Sequence, residues 1–187
     1  MDGTELRKLL SSYQPEDATE AISKDRMLHL LESGEEAWNR AHYNPGHFTA
    51  STYVVDPISG TLAMVFHGKL KRWLQPGGHV EASDPSILSS AQRELAEETG
   101  LNPLGQWRLI DLDIHTIPAR KNQPQHEHFD CRFLCVLKPG ESRALRAADD
   151  AEQADWKPLG YLAQSEEVGM VRVFHKIESL AIGLDIR

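Results

Sequence analysis

The sequence predicts an α+β or α/β fold, in which a mixed sheet is flanked by helices and preceded by an N-terminal helical extension. Three observations carry this. Ala18, Ala21, Ile22, Leu28 and Leu31 recur at roughly helical spacing near the N-terminus. From His47 onward the texture changes to short runs rich in Thr, Tyr, Val and Phe, punctuated by Pro and Gly. Two amphipathic segments, Pro85 to Thr99 and Glu166 to Ile182, are long enough to be helices.

In chain order, a short helix is expected over Glu5 to Leu10 and a longer one over residues 16–32. Tyr43-Asn44-Pro45-Gly46 reads as a turn that ends the extension, so the chain divides into residues 1–45 and a main domain, 46–187. Thr49 to Val55 and Thr61 to Phe66 form a hairpin around Asp56-Pro57 and Gly60, and Lys69 to Leu74 is a further short strand. The helix Pro85–Thr99 follows a glycine turn. Trp107 to Thr116 and His128 to Leu137 read as strands on either side of a polar loop, Pro118 to Gln125. Trp156 to Leu159 is a last short strand before the closing helix. The extension's apolar residues, among them Leu28, Leu30 and Leu31, need burial, either as a cover over the sheet or in a homodimer contact.

Composition narrows the function classes. The 187 residues, 40% apolar and 26% charged, suit one soluble globular domain. No apolar run is long enough to span a bilayer, and the N-terminus lacks the basic flank and apolar stretch of a secretory leader, so a cytoplasmic protein is expected. The net charge of −8 disfavours broad nucleic-acid binding, because a phosphate backbone would be repelled on average. A polyphosphate ligand would then need neutralising by bound metal rather than by a basic surface. The two cysteines, Cys131 and Cys135, sit among apolar residues and read as buried, reduced thiols.

The chemistry is concentrated in Gly77-Gly78-His79-Val80-Glu81-Ala82-Ser83-Asp84 and the helix after it. Asp84 suits the helix N-cap, Pro85 the first helical position and Gly100 the left-handed terminator. At about 100° per residue, Ile87, Leu88, Ala91 and Leu95 share one wedge, while Glu94, Glu97 and Glu98 occupy the next. Arg93 can pair with Glu97 at i,i+4, but one arginine cannot neutralise three acids. Bound Mg²⁺ or Mn²⁺ would relieve the repulsion, since these hard cations prefer oxygen ligands. A Glu-x-x-Glu-Glu run alone more often makes a solvated acidic face, but here it adjoins the apolar wedge and follows a glycine loop.

This segment resembles the Nudix box: Gly, five residues, Glu, seven residues, then Arg-Glu-apolar-x-Glu-Glu-x-Gly-apolar. Arg93-Glu94-Leu95-Ala96-Glu97-Glu98-Thr99-Gly100-Leu101 matches the second half and Gly78 the start. Asp84 stands where the first Glu is expected, and eight residues rather than seven separate it from Arg93. The resemblance implies a Nudix fold, an α/β/α sandwich. It also implies a Nudix pyrophosphohydrolase that uses Mg²⁺ or Mn²⁺. By it, Glu94 and Glu98 are the principal metal ligands, Glu97 assists, the Gly78 carbonyl faces a metal and Arg93 holds the glutamates. For the general base it offers Glu94 in the box, or Glu127 or Glu152 on downstream loops.

Other residues bear on the substrate. His126, His128, Asp130 and Arg132 alternate, so a strand would present them on one face, with Phe129, Cys131, Phe133 and Cys135 on the core side. That face could hold substrate, form a structural hydrogen-bond network or bind a transition metal. His79, with His67, Lys69, Lys71 and Arg72, could meet phosphates or simply form a solvated strand edge. His79, Glu127, His128 and Arg132 are the candidate substrate contacts. Trp73 and Trp156 could stack on a base, though packing is the commoner use. The expected substrate is a small molecule of the nucleoside-diphosphate class, such as ADP-ribose or a nucleotide sugar. Pro118 lies within about one residue of a proline found in the ADP-ribose subgroup of the resembled family. The alternatives are a nucleoside triphosphate pyrophosphohydrolase that clears damaged nucleotides, and a non-catalytic nucleotide sensor.

Overall fold

The computed structural model describes residues 3–33, 37–120, 122–149 and 151–184, without the side chains of 181–184. Met1 and Asp2, at the start of the stretch read as lacking a leader, lie outside them. The elements run α1 (Gly3–Ser12), α2 (Ala18–Glu32), β1 (Gly46–Asp56), β2 (Thr61–His67), β3 (Arg72–Leu74), β4 (Gly77–His79), α3 (Ile87–Thr99), β5 (Trp107–Ile117), β6 (His126–Val136), β7 (Ala151–Pro158), a 3₁₀ helix (Leu159–Gln164) and α4 (Val168–Leu184). Strand order is β3-β2-β1-β6-β5, with β4 beside β1 and β7 beside β2. The expected mixed sheet flanked by helices, with helices ahead of it, is the fold observed. No helix among the described residues is long and apolar enough to cross a membrane.

Two compact units share the chain. One comprises Met1–Ser51, Gly77–Ala91 and Asp111–Arg132; the other comprises Thr52–Pro76, Gln92–Ile110 and Phe133–Arg187.

In the first unit, Asp17 caps α2 by accepting the Glu20 amide at 2.7 Å. Glu20 is fully buried and in turn accepts from the Tyr13 hydroxyl, the Glu16 amide at 2.7 Å and the Leu112 amide of β5 at 3.2 Å. A buried carboxylate is tolerated because donors surround it. The Tyr13 phenol is pushed up by its burial and by Glu20. On the next turns of α2, Arg26 lies 5.5 Å over the Phe129 ring and pairs with Glu127. The extension therefore covers β5 and β6, the first of the two uses expected for it.

In the second unit, period-2 alternation sorts side chains into two layers. Tyr53, Val55, Leu62, Met64 and Leu134 cluster with Met170, Val173 and Ile177 of α4 and Leu162 of the 3₁₀ helix. Val54, Ala63 and Cys135, on the opposite faces of their strands, cluster with Leu95 of α3 and with Leu101 and Leu137. Helices thus lie on both faces of these strands. Trp156 packs in the second cluster and donates its Nε1–H to the Arg143 carbonyl at 2.9 Å, so it serves packing. Trp73 stands edge-on to Phe66 and carries Lys157 Nζ 3.9 Å over its ring.

Several boundaries differ from expectation for physical reasons. β7 begins at Ala151 rather than Trp156, because its antiparallel ladder to β2 pairs seven residues through main-chain bonds while only Ala151 of its residues is buried. β4 was expected to be loop, but Gly77, Gly78 and His79 pair with Ser51, Ala50 and Thr49. A Cβ on Gly77 would fall 2.5 Å from Ser51 Cβ at φ +156°, so glycine admits this approach. α3 begins at Ile87, two residues later than expected, and its cap is Ser86, whose Oγ accepts the Ser89 amide at 3.1 Å. Asp84 instead accepts the Glu81 amide at 2.8 Å while its own amide donates to the Glu81 carbonyl at 3.0 Å, closing the loop ahead of the helix. Gly100 terminates α3 as expected, at φ +74°, donating to the Ala96 carbonyl at 2.9 Å.

The hairpin end of β1 is anchored by charge. Buried Asp56 accepts Arg143 Nε at 2.6 Å and Nη2 at 2.7 Å, a bidentate pair, and also takes the Ser59 hydroxyl and the Ile58 amide. The Arg143 hydrogen bonds, above all, hold the Asp56 carboxyl well below the ordinary carboxylate range. A folded-state pKa depressed below the unfolded value of about 3.9 adds stability that is complete above that value and disappears as pH falls through the folded one. Urea unfolding at about pH 7 and about pH 3 should therefore show the native chain losing more stability on acidification than Asp56→Asn. Equal losses would refute the linkage.

Candidate functional site

The carboxylates of α3 follow from its packing. Ile87, Ala91 and Leu95 form the buried stripe, and Ser90 and Thr99 are fully buried beside it. Leu88, expected in the same wedge, is only half-buried. Glu98 adjoins the stripe and is 7% exposed, Glu94 one turn before it is half-buried, and Glu97 is exposed. Arg93 Nη1 donates to Glu94 Oε1 at 2.9 Å and to Glu97 Oε2 at 2.8 Å. The expected i,i+4 pair is present, and the same guanidinium also fixes Glu94. Three acids share one helix segment, Arg93 bridges two of them, and the donor set is all carboxylate oxygen. That chemistry fits a hard divalent cation.

The remaining site candidates are distributed as follows. Gly78 lies on β4, opposite Ala50 of β1. Glu152 on β7 pairs with Lys71, and Arg72 pairs with Glu167 at 2.5 Å, so two of the basic residues approaching the glycine loop meet acids of their own unit. Glu127 is engaged by Arg26, which also covers Phe129, and so belongs to the α2 face of β6. Its neighbours by alternation, His126 and His128, point the other way.

That opposite face is a polar layer within the first unit. Asp130 accepts from Thr49 Oγ1 at 3.1 Å, Ser51 Oγ at 2.7 Å and Arg132 Nε at 3.1 Å. Arg132 also donates from Nη1 to Asp111 at 3.3 Å and from Nη2 to Asp113 at 2.9 Å. Asp130, Arg132 and Asp111 are all buried. Of the readings open for this face, the structural network describes its Asp130–Arg132 end. The face is closed to solvent at this end, where Asp130 and Arg132 are buried together with Phe129, Cys131 and Phe133.

At its other end the layer consists of histidines. His79 and His128 have ring centroids 5.1 Å apart, so two of the four substrate candidates are neighbours. His47, His126 and His115 lie 4.9, 5.3 and 5.4 Å from His128. The His128 pKa is pushed down to about 2, first by burial and then by the surrounding rings, so it stays neutral. Burial lowers His47 as well. Burial also pushes the Cys131 thiol up, and Cys135 rises to about 11, in keeping with inert reduced thiols.

The sequence reading missed His47 and His115. The signal was present. His47, Thr49 and Ser51 alternate on β1, and Asp111, Asp113 and His115 alternate on β5, as His126 to Arg132 do on β6. Starting the first strand at Thr49 cut His47 out of its series.

Comparisons with known proteins agree with this architecture. The family model described as NUDIX domain matches residues 58–179. A relative from Lactococcus lactis subsp. cremoris, named probable DHNTP pyrophosphohydrolase, is 34% identical over 120 residues, covering 63% of this chain and 70% of its own. Among solved structures, the NUDIX domain of Shewanella oneidensis NrtR complexed with ADP ribose aligns at TM-score 0.54 and 15% identity, covering 71% of this chain and 86% of its own. The dihydroneopterin triphosphate pyrophosphohydrolase of E. coli aligns at TM-score 0.54 and 13% identity, covering 73% and 95%. At such identities the structural matches speak for the fold alone. The family model, which spans more than half of the residues and contains the acidic helix α3, identifies the chain as a member of the Nudix family.

Proposed function

We propose that this chain is a divalent-metal-dependent pyrophosphohydrolase that cleaves a phosphoanhydride bond in a nucleotide-like substrate. In this reading residues 46–187 form the catalytic domain and 1–45 an extension. The observation that carries it is the arrangement on α3, where Arg93 clamps Glu94 and Glu97 beside the buried carboxylate of Glu98.

Glu94, Glu97 and Glu98 would hold Mg²⁺ or Mn²⁺, which would offset phosphate charge and lower the pKa of a bound water. The chain's own part is to keep the carboxylates fixed before substrate arrives. The Ile87–Ala91–Leu95 stripe seats the helix, Gly100 ends it immediately after the acids, and Arg93 limits the rotamers of Glu94 and Glu97. Such preorganisation avoids reorganisation during reaction. Glu94 remains the box candidate for general base. Glu127 is tied to Arg26 and Glu152 to Lys71, so each would first have to leave an ion pair.

Two substrate readings follow. The sequence favours a nucleoside diphosphate linked to a second group. The name of the Lactococcus relative favours a triphosphate, with pyrophosphate as leaving product. Incubation with a panel of both classes and Mg²⁺ or Mn²⁺, with products separated, decides between them. Two phosphomonoesters indicate the first, and a monophosphate with inorganic pyrophosphate the second. Binding of the panel without any cleavage would overturn the enzymatic proposal in favour of a sensor.

A further inference from the structure

We propose that His47, His126 and His128 form a site for a borderline transition-metal ion, best met by Zn²⁺, separate in chemistry from the acidic helix. The three side chains each offer a ligand atom, and these atoms lie within 4.8 Å of one another. Tetrahedral zinc with Zn–N bonds of about 2.0–2.1 Å needs its nitrogens about 3.3 Å apart, so side-chain rotation of an ångström or so would complete the set.

The tautomers support the assignment. His47 Nδ1 is 3.0 Å from the His42 carbonyl, and His126 Nδ1 is 2.8 Å from the Pro124 carbonyl. A carbonyl only accepts, so each Nδ1 carries the proton and donates it, leaving a lone pair on Nε2. A metal-bound histidine is commonly held by such a bond from its other nitrogen. His47 is 1% exposed, and its Nε2 is buried without a hydrogen-bond partner. Leaving a buried acceptor unsatisfied is unfavourable, and a bound cation would remove that penalty.

Ligand type sets the metal. Neutral imidazoles suit Zn²⁺, Cu²⁺ or Ni²⁺ and are poor ligands for Mg²⁺, which takes oxygen. Three histidines leave a fourth position for water or a substrate oxygen, while the rings of His79 and His115 pack 5.1 and 5.4 Å from His128. The inference does not depend on the proposed hydrolysis and can hold or fail without it.

The test uses the full chain stripped of metal, with millimolar Mg²⁺ present to satisfy oxygen sites. Co²⁺ serves as a spectroscopic probe and Zn²⁺ competes against a chromogenic chelator. One equivalent of Co²⁺ should bind with visible d–d absorption and be displaced by Zn²⁺. Glu98→Gln should bind it as tightly as the native chain, whereas His126→Asn and His128→Gln should weaken Zn²⁺ roughly 100-fold or more. Nitrogen NMR of the native protein removes any dependence on variant folding. Zn²⁺, but not Mg²⁺, should shift the Nε2 resonances of His47 and His126. Absence of those shifts, Co²⁺ binding that survives both histidine substitutions, or binding lost in Glu98→Gln would each overturn the site.

Discussion

Glu98→Gln should lower kcat with Mg²⁺ or Mn²⁺ by about a thousandfold or more, equivalent to about 4 kcal/mol of barrier, without loss of the fold. Glu98 is chosen over its neighbours because of where α3 places it. At 7% exposure it abuts the stripe that seats the helix, while Glu97 is exposed and held by Arg93. Beside the carboxylates of Glu94 and Glu97 it offers a hard divalent cation an all-oxygen donor set, so a ligand role accounts for its charge at this position. Gln preserves volume and one carbonyl oxygen but removes the charge that a divalent cation needs. Thermal melting without metal should therefore be unchanged or higher in the variant, while added Mg²⁺ or Mn²⁺ should stabilise only the native chain. Activity within a few-fold of native, at equal melting temperature, would show that the acidic cluster is a surface feature of the helix.

The legibility of this site in the sequence has a physical basis. The acids, Arg93 and the terminating glycine belong to one helix, and a helix carries its geometry in local spacing. The same locality gave the hairpin of β1 and β2 and the extent of α2. What escaped depended on partners distant in sequence. β4 forms because Gly77 lets the backbone approach Ser51, and β7 because β2 supplies its ladder. The cap is the local exception: it passed from Asp84 to Ser86 because the loop claims the Asp84 carboxylate for the Glu81 amide three residues earlier. The histidine cluster unites β1, β4, β5 and β6, so no single window contained it, although alternation marked three of its strands.

The same principle governs the second large effect. Arg132→Met should lower the unfolding free energy by about 3–5 kcal/mol, measured by urea titration at neutral pH. Arg132 is 2% exposed and bridges Asp130, Asp111 and Asp113 with three different nitrogens. Thr49 and Ser51 can still serve Asp130 after the change, but the arginine's positive charge is lost from beside buried Asp130 and Asp111. The cost is mainly that of carboxylates deprived of their cation rather than the worth of the original pairs. A test of that distinction combines Arg132→Met with Asp111→Asn and Asp130→Asn. If stranded charge dominates, the triple variant should recover part of the loss, a non-additivity that independent sites would not show. Arg132→Lys should fall between, since an ammonium cannot reproduce a planar fork aimed at three acceptors. A loss below about 1 kcal/mol in Arg132→Met, together with a raised KM, would instead mean that the guanidinium is available to substrate and that the network is incidental to the fold.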